Sequence, residues 1–464
     1  MTSPQRHFAG WLLFVFFLVG ALPQANALPA FARKYGLRCS ACHEAWPMLN
    51  YFGQKFKDNG YQLMNDRDAP IWQNPSYWPV TFRMTPTWHR VSTGRVAVDE
   101  GTGTNNAEAR IESSGFDLSG LDFHTGGTLE KNISFYLLPS SDSTGTFHFE
   151  TVMARLDNLW GSPWLNVKLG KFELDNLLSE KRILTLTGNG GVYQTYHFIP
   201  VGDGNIFGQI GDNQLGLEWL GHSVDDRTRL SASILSSSDG NTNLITGANS
   251  YTGFFTGSQA FDTGRLGVQR IGFYVMAGEA AVTYRTSGGV VIAGSGINNK
   301  GFSREGFVGQ FYFGQHFDLT VVTQHGSDNA WFGQGFGSAS DPQNGTPLND
   351  LPNAGPGTVL PATARAPSWN GATFEAHYVY NPQLIIIGRY ELERMSQQAN
   401  TTNPGNLGNI SSYTIGYRYY PFMTNRAGFA WHNEYNWMHQ DGVGPQTGEN
   451  LNSSELLLGF DFDF

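Results

Sequence analysis

Two cysteines and a histidine stand at a spacing that suits the attachment of a porphyrin. The stretch Cys39-Ser40-Ala41-Cys42-His43 contains both cysteines of the 464-residue chain. Two thiols at this spacing can each form a thioether bond to a haem vinyl group, and the adjacent histidine can then bind the iron. The motif therefore predicts one covalent haem c, attached through Cys39 and Cys42 with His43 as proximal ligand, and a role in electron transfer.

A redox-active or structural disulfide is the alternative use of these two thiols. A thioredoxin-like active site needs a preceding strand within a βαβ unit. The residues before Cys39 show no such pattern. We therefore favour haem attachment over a disulfide.

The distal ligand of the iron stays open at this stage. Met64 is our first choice, because it follows a predicted helix and could return over the opposite haem face. A lone methionine can equally be a core residue. A thioether ligand would raise the reduction potential and a second histidine would lower it. The alternatives are Met84 and His89 in the first predicted strand, Met48, and the barrel histidines His377 and His432.

Two short helices are expected around the motif, over residues 30–35 and 47–59. Proline suits the first turn of the second helix, and Gly60 is placed to end it. One apolar face would cover the porphyrin or form a small helical core, and its packing residues are Phe31, Trp46, Phe52 and Phe56. A module of residues 28–75 is too small to bury a large core, so haem and the rest of the chain should both stabilise it.

Residues 1–27 have the pattern of a secretory signal peptide. Arg6 is followed by an apolar stretch over residues 8–22 and by the small-x-small sequence Ala25-Asn26-Ala27. The alternative is a membrane anchor, but the apolar stretch is shorter than the roughly 20 residues that a spanning helix needs. We expect export, which brings the chain to a compartment where haem is attached to thiols.

Residues 76–464 are predicted to form an outer-membrane β-barrel of about 16 antiparallel strands. The chain has 57 glycines and 14% aromatic residues but only 15% charged residues, a composition typical of such barrels. Apolar and ionisable residues alternate in the segments 370–380, 383–393, 427–438 and 455–464. The last segment ends in Phe464 and resembles the final strand of bacterial outer-membrane proteins.

The lengths of the connections support a barrel over a soluble β-sandwich, the alternative for alternating strands. Short links are expected at 125–130, 158–162, 314–315, 381–382 and 421–426, with longer ones at 91–109, 140–146, 175–212, 287–304, 326–369, 394–410 and 439–453. Including one weak strand near residues 251–261 gives 16 strands. The first strand then begins and the last strand ends on the periplasmic side. The haem module precedes the first strand, so it could fold back from that side into the lumen.

The charge distribution points away from nucleic acid as a partner. Residues 28–70 carry six bases and four acids, whereas the whole chain carries 29 bases and 39 acids. A slightly basic module beside an acidic barrel would favour docking inside it.

The signal peptide, the stretch FARKYGLRCSACH, the short module and the barrel together resemble the fused monohaem cytochrome-porins, which include the outer-membrane iron-oxidising cytochromes. The resemblance covers the whole chain. It implies a bacterial outer-membrane location, contact with lipid, and oxidation of extracellular Fe(II). It also implies transfer of the electron to a periplasmic c-type cytochrome or cupredoxin, an iron:cytochrome c oxidoreductase activity.

Carboxylates that could attract Fe(II) are Glu375, Glu391 and Glu434 in the lumen, and Asp99 and Glu100 in an outer loop. Ordinary pore-lining or solvated acids are the simpler interpretation of each. Two other functions stay open: a conduit for other metals or minerals, and a solute porin with an accessory haem.

Overall fold

The computed structural model describes most of the chain. The described residues are 30–45, 48–63, 68, 70–73, 79–103, 107–118, 120–142, 145–179, 183–185, 187, 195–196, 210–211, 213–236, 250–281, 299–329, 366, 368–395, 409–423, 428–441 and 449–463. The predicted signal peptide, Trp46, Met64 and Phe464 lie outside them. Among the described residues, no helix has both the length and the apolar character to cross a membrane.

Sixteen antiparallel strands in the described residues close into a barrel. The first strand has two halves, β3 (Val80–Met84) and β4 (Thr87–Val98), and so has the second, β5 (Ala107–Asp117) and β6 (Asp122–Glu130). The others are β7 (Ile133–Ser141), β8 (Phe147–Leu156), β9 (Asn166–Phe172), β10 (Gln214–His222), β11 (Thr228–Ser236), β12 (Tyr251–Asp262), β13 (Val268–Ala281), β14 (Asn299–Tyr312), β15 (Phe317–Asp328), β16 (Ser368–Asn381), β17 (Leu384–Met395), β18 (Ile410–Met423), β19 (Gly428–Gln440) and β20 (Leu451–Asp463).

The barrel closes between its first and last strands. Both halves of the first strand pair with β20, so that Met84 lies opposite Phe462 and Val91 lies opposite Glu455. The first strand also pairs along its length with the second, through β4 with β5 and β3 with β6. The break between the halves falls at Pro86, which has no N–H to donate to a ladder.

The wall alternates apolar residues outside with polar residues inside. In β16, Phe374 and Tyr378 are exposed on the outer surface, whereas Glu375 and His377 between them are buried. In β19, Trp431 and Tyr435 are exposed and His432 is buried. This pattern suits an outer surface in lipid, and it confirms the predicted alternation.

Connections of unequal length alternate around the barrel. Those at one end are 131–132, 157–165, 223–227, 263–267, 313–316, 382–383 and 424–427, and those at the other are 99–106, 142–146, 173–213, 237–250, 282–298, 329–367, 396–409 and 441–450. Outer-membrane barrels keep their short turns in the periplasm, so the first set marks the periplasmic end. The predicted strand number is confirmed, and the weak strand near residue 251 is a full strand, β12.

The prediction for the first hairpin was wrong in its details. Residues 91–98 and 122–130 belong to strands, and the turn between β6 and β7 lies at 131–132. The glycines of β6 suggested a turn, but they serve packing: a Cβ on Gly126 would lie 2.7 Å from the Tyr136 ring and 3.4 Å from Phe31.

The N-terminal segment (residues 30–63) contains α1 (Ala30–Tyr35), a 3₁₀ turn (Cys39–Ala41), a ribbon of β1 (His43–Ala45) and β2 (Met48–Leu49), and α2 (Tyr51–Asp58). The first predicted helix is confirmed. The predicted start of the second at residue 47 is wrong, because β2 pairs with β1 and Asn50 caps the helix by accepting a hydrogen bond from the Gly53 N–H. Gly60 follows the helix with a φ of +70°, as a terminating glycine does.

The connection between β9 and β10 is here called the inner connection (residues 173–213), and its described residues lie against the inner face of the wall. Thr185 donates to Glu375 at 3.0 Å, and the Thr187 N–H donates to Glu434 at 3.0 Å. The largest buried apolar cluster joins residues of all three parts: Tyr35, Phe56 and Tyr61 from the N-terminal segment, Leu174 and Leu178 from the inner connection, and Phe254 and Tyr274 from the wall.

Candidate functional site

Asn50 organises the backbone of the cysteine motif. Its N–H donates to the Cys42 carbonyl at 2.9 Å, and its side-chain amide donates to the Ala41 carbonyl at 3.1 Å. Helix α2 then passes so close to the motif that a Cβ on Gly53 would collide with the Cys42 carbonyl. The motif and the first turn of α2 are therefore one packed unit.

The cysteines and His43 lie on consecutive elements of this unit. Cys39 begins the 3₁₀ turn, Cys42 follows it, and His43 pairs with Leu49 across the ribbon. Cys42 is a half-buried free thiol, and burial raises its pKa to about 11. The thiol is therefore protonated at neutral pH, an uncharged state that suits an apolar environment.

An aromatic cluster joins the N-terminal segment to the wall. Phe31 stacks on Tyr61 at 4.8 Å and meets Phe56 edge-on at 5.3 Å. Tyr61 stacks in turn on Tyr136 of β7 at 6.0 Å, and Tyr35 donates to the Tyr61 carbonyl at 3.0 Å. Phe31 and Phe56 therefore pack in an aromatic core that includes the wall, whereas Phe52 lies outside it with 40% of its surface exposed.

The candidates for the distal ligand differ in where their side chains lie. Met48 is buried in a cluster with Leu184 and Ile385, and Met84 lies opposite the outward-facing Phe462. His89 stands on β4 with its Nδ1 3.6 Å from Glu455. Met64 lies outside the described residues.

Ion pairs engage both barrel histidines. His377 Nδ1 lies 2.7 Å from Asp318 and its Nε2 lies 2.8 Å from Glu375, while His432 is paired with Glu434. These contacts tie both imidazoles into the network of the wall, where His377 and Asp318 lie near Glu44, the residue that follows His43.

A buried ion pair joins the end of α2 to the barrel wall. Asp58 accepts from Arg229 of β11, with Oδ2 2.6 Å from Nε and Oδ1 2.8 Å from the terminal nitrogen. Arg155 of β8 donates to the Lys57 carbonyl at 2.9 Å and also to the Asp58 carbonyl. Two arginines of the wall therefore bind the carboxylate and the last carbonyls of the helix, where a cation also complements the helix dipole.

Arg229 connects this helix to two further acids. The guanidinium lies 2.9 Å from Asp175 of the inner connection and 3.9 Å from Asp226 in the turn 223–227. Burial by itself would raise the pKa of Asp175, but Arg229 and then Lys57 hold it below its ordinary value. Burial and repulsion from Asp58 raise the pKa of Asp226 to about 7. One guanidinium thus links the N-terminal segment, the inner connection and a periplasmic turn.

The predicted lumen acids face inward, and all three are buried in contacts. Glu375 binds His377 and Thr185, as described above, and Glu391 lies 3.4 Å from Arg389 and accepts from Thr373 at 3.2 Å. Glu434 binds His432 and Thr187. In the described part of the chain, no group of three or more His, Cys, Asp or Glu side chains could hold a metal ion.

The two predicted loop acids, Asp99 and Glu100, lie in the connection 99–106 and not in the wall of the lumen. Asp99 is exposed at the outer end of the barrel and accepts from the N–H groups of Gly101 and Thr102 at 2.8 and 2.7 Å. The Thr102 N–H is the main reason that the pKa of Asp99 lies below its ordinary value. Asp99 and Glu100 are therefore exposed acids in a connection at the outer end of the barrel.

Comparison with known proteins identifies the fold. No protein-family model matches the chain, and no curated protein sequence matches it. The anion-selective porin from Comamonas acidovorans is similar in structure, with a TM-score of 0.50 at 11% identity over 83% of this chain and 98% of that one. The chain is an outer-membrane β-barrel. The similarity concerns the fold alone.

Two other solved structures align over similar lengths. Pseudomonas putida OprB has a TM-score of 0.47 at 12% identity, covering 83% of this barrel chain and 94% of its own. The channel DcaP of Acinetobacter baumannii has a TM-score of 0.45 at 10% identity, covering 83% and 97%.

Sequence reasoning missed the residues that hold the motif in place. Asp58 and Arg229 are 171 positions apart, and neither has a distinctive neighbourhood in the sequence. We expected a basic module to be attracted to an acidic barrel. In the closest ion pair between the two parts, however, the acid Asp58 belongs to the N-terminal segment and the base Arg229 belongs to the wall. The periodicity of β11 did contain one signal, an arginine at an inward position.

Proposed function

We propose that this outer-membrane barrel transfers electrons across the outer membrane through one haem c held by Cys39, Cys42 and His43. The resemblance to fused monohaem cytochrome-porins suggests extracellular Fe(II) as the donor and a periplasmic c-type cytochrome or cupredoxin as the acceptor. The N-terminal segment would then be the haem module, and it would occupy part of the lumen.

The observation that carries the proposal is the attachment of the motif's own segment to the inner face of the wall. The buried Asp58–Arg229 pair and the Arg155 contacts fix the end of α2, and Asn50 fixes the motif at its start. A redox centre needs a fixed depth between donor and acceptor. The contacts of Arg229 and Arg155 would hold the motif's segment at a fixed position on the wall.

The residues present fit a covalent haem. Cys42 offers a protonated thiol beside the first turn of α2, and the pair Cys39 and Cys42 would hold one edge of the porphyrin. His43 would direct an imidazole nitrogen to the iron, with its ribbon partner Leu49 beside it. When bound, haem supplies a one-electron carrier within a layer that otherwise excludes electrons.

Covalent haem is the first requirement to test. The purified protein should retain haem after denaturation, and the double variant Cys39→Ala, Cys42→Ala should lose it. Full covalent attachment in the double variant would refute the assignment of these cysteines.

Electron transfer is tested in vesicles that contain the barrel and enclose an oxidised cytochrome c. Fe(II) added outside should reduce first the bound haem and then the enclosed cytochrome, both followed by absorbance. If Fe(II) fails to reduce the haem but another donor succeeds, the protein is a conduit for other metals or minerals.

A solute channel is the second candidate, and the porin fold favours it. An anion-selective porin shares this architecture, and inward-facing charges line the wall. Conductance in planar bilayers separates the two functions: a steady open pore in the haem-loaded protein supports the solute channel, and its absence supports the conduit.

A further inference from the structure

Glu44, which follows the predicted iron ligand, lies at an irregular position in the ribbon. His43 pairs with Leu49 and Ala45 pairs with Met48, so Glu44 is an extra residue between the two pairs and forms a bulge. Bulges are common next to active sites, where they re-aim a side chain. The conformation at Glu44 therefore decides the direction of the neighbouring His43 side chain.

The ribbon is held at both ends by contacts with other parts of the molecule. At one end the Asn50 N–H donates to the Cys42 carbonyl at 2.9 Å. At the other end Ala45 and Met48 are buried in a cluster with residues of the wall and the inner connection. An isolated two-stranded ribbon is marginally stable, so such contacts determine its shape. The bulge at Glu44 lies between these anchored ends.

A tyrosine of the barrel wall binds the bulge. The Tyr312 hydroxyl donates a hydrogen bond to the Glu44 carboxylate. Tyr312 is the last residue of β14, and the side chain of Gln269 fixes its backbone. Gln269 accepts from the Tyr312 N–H at 2.6 Å and donates to the Tyr312 carbonyl at 2.9 Å. The donor to Glu44 therefore belongs to a well-fixed part of the wall.

An open space beside Glu44 means that packing alone does not fix this side chain. A cavity of about 400 Å³ is lined by Glu44 and Tyr312, and also by Leu49 and Gln310. A side chain that borders such a space can turn into other staggered rotamers. The hydrogen bond from Tyr312 selects one of them.

Two charged residues of the wall also face Glu44. Asp318 lies opposite Tyr312 and His377 lies opposite Asp318 on neighbouring strands, so the three side chains share the inner face. The charge of Asp318 repels the Glu44 carboxylate, and that of His377 attracts it. These two effects oppose each other, whereas the Tyr312 hydroxyl only attracts. Tyr312 is therefore the contact that holds Glu44 in place.

We infer that Tyr312 is a positioning residue that holds the bulge through Glu44 and thereby directs the His43 imidazole toward the haem iron. This inference rests on the proposed function. With the hydroxyl present, His43 is held in one direction. Without it, the ribbon samples several conformations and the imidazole binds the iron less tightly.

Nitric oxide tests the strength of the iron–histidine bond, because it binds ferrous haem and weakens the bond on the opposite face. Nitrosyl haem that keeps its histidine is six-coordinate, and haem that has lost it is five-coordinate. Electron paramagnetic resonance distinguishes the two. Tyr312→Phe should raise the ratio of five- to six-coordinate haem about tenfold, as expected for loss of a hydrogen bond to a charged group.

Tyr274→Phe is the matched control. It also removes an inward hydroxyl from the wall, one that donates to the Thr323 carbonyl at 2.9 Å. The control should match the wild type in the nitric oxide measurement. Retention of the folded band in unheated gels confirms that each variant still forms the barrel.

Variants of Glu44 show whether the tyrosine acts through this carboxylate. Glu44→Ala should have the same effect as Tyr312→Phe, and the double variant should show little further change, because the two residues act as one pair. Glu44→Gln keeps an oxygen that accepts from Tyr312 and should stay within about twofold of the wild type. Full additivity of Tyr312→Phe and Glu44→Ala would overturn the inference.

A second measurement uses the barrel without haem, made with Cys39→Ala and Cys42→Ala. Hydrogen exchange of the backbone amides of residues 43–49 is followed by mass spectrometry. The exchange should be about tenfold faster when Tyr312→Phe is added than when Tyr274→Phe is added. Equal exchange in the two would show that Tyr312 does not hold the ribbon, and would overturn the inference.

The outcomes differ for the two proposals. A wild type without covalent haem would overturn the proposed function and this inference with it. Covalent haem in the wild type and in Tyr312→Phe, with the same ratio of nitrosyl species in both, would overturn the inference about Tyr312 and leave electron transfer intact.

Discussion

The carboxylate of Asp58 and the guanidinium of Arg229 meet at 2.6 Å in a region from which solvent is excluded, with side chains 0% and 3% exposed. One belongs to the helix that follows the cysteine motif and the other to the barrel wall. Removing one partner of a buried ion pair leaves the other charge without compensation, which costs far more than loss of a surface pair. This ion pair therefore holds the segment of the motif against the wall, and loss of either partner removes the whole interaction.

Arg229→Met should weaken docking of the N-terminal segment by about 3–5 kcal/mol, the usual cost of breaking a buried pair. Limited proteolysis of the folded barrel should then cleave the segment before Val80 much faster than in the wild type. The matched control is Arg227→Met, since Arg227 pairs with Asp225 on the surface at 3.5 Å with both side chains more than half exposed. That change should cost below about 1 kcal/mol. Equal protease resistance of the two variants would show that Asp58–Arg229 does not hold the segment.

Asp226→Asn and Asp175→Asn should have opposite effects on stability at pH 8. The pKa of Asp226 is raised to about 7, so its contribution to stability is present below the ordinary value near 4 and is lost as pH rises through 7. Asparagine does not ionise, so the variant does not lose this stability as the pH rises. Asparagine also tolerates the φ of +57° at this position. The pKa of Asp175 is lowered, so its contribution is present above the ordinary value and is lost only as pH falls through the lowered one.

Unfolding in detergent at pH 8 and at pH 5 tests this pair. Asp226→Asn should stabilise the protein at pH 8 by on the order of 1–4 kcal/mol, given about 1.4 kcal/mol per pKa unit, and by less at pH 5. Asp175→Asn should destabilise it at both values. A stabilisation by Asp226→Asn that is equal at the two pH values would contradict the assigned direction.

The later strands could be predicted from the sequence because the two faces of their wall differ strongly. Tyr390 and Trp437 face outward, while Arg389 and Glu434 face inward. Apolar and ionisable residues that alternate with a period of two indicate a β-strand with two different faces. The first hairpin lacks the contrast. In β6 the small residue Gly126 is required by the close approach of Tyr136 and Phe31, so tertiary packing determines a residue that resembles a turn signal.

The candidate site also has one part that the sequence predicts and another part that it does not. The spacing of Cys39, Cys42 and His43 is local chemistry and can be read along the chain. Asn50 as a cap is also a local signal, although the helix start was placed too early. Contacts such as Arg229 with Asp58 and Asp175 depend on how distant segments meet inside a closed barrel, and no pattern along one strand specifies a partner in another part of the chain.

Glutamine substitutions at Glu375, Glu391 and Glu434 should leave the rate of haem reduction by Fe(II) within about twofold of the wild type, because each carboxylate is buried in contacts with the wall or the inner connection. The loop variant Asp99→Asn, Glu100→Gln removes exposed charges that attract cations. It should slow the reaction a few-fold at low ionic strength, and added salt should abolish the difference. Stopped-flow absorbance measures the four variants and the wild type. A large loss in a lumen variant that still folds would place Fe(II) inside the barrel.

Met48→Leu should leave the visible and near-infrared ligand bands of the haem unchanged. Met48 is 3% exposed and packs with Ala45, Leu184 and Ile385, and a methionine-to-leucine change conserves its volume at a cost below about 1.5 kcal/mol. Met84→Leu should be equally silent, because Met84 lies opposite the outward-facing Phe462. Met64→Leu and His89→Gln complete the comparison, and the true distal ligand is the residue whose loss converts the spectrum to that of a five-coordinate or water-bound haem. Such a change in Met48→Leu would show that the ribbon rearranges around haem and frees this side chain from its cluster.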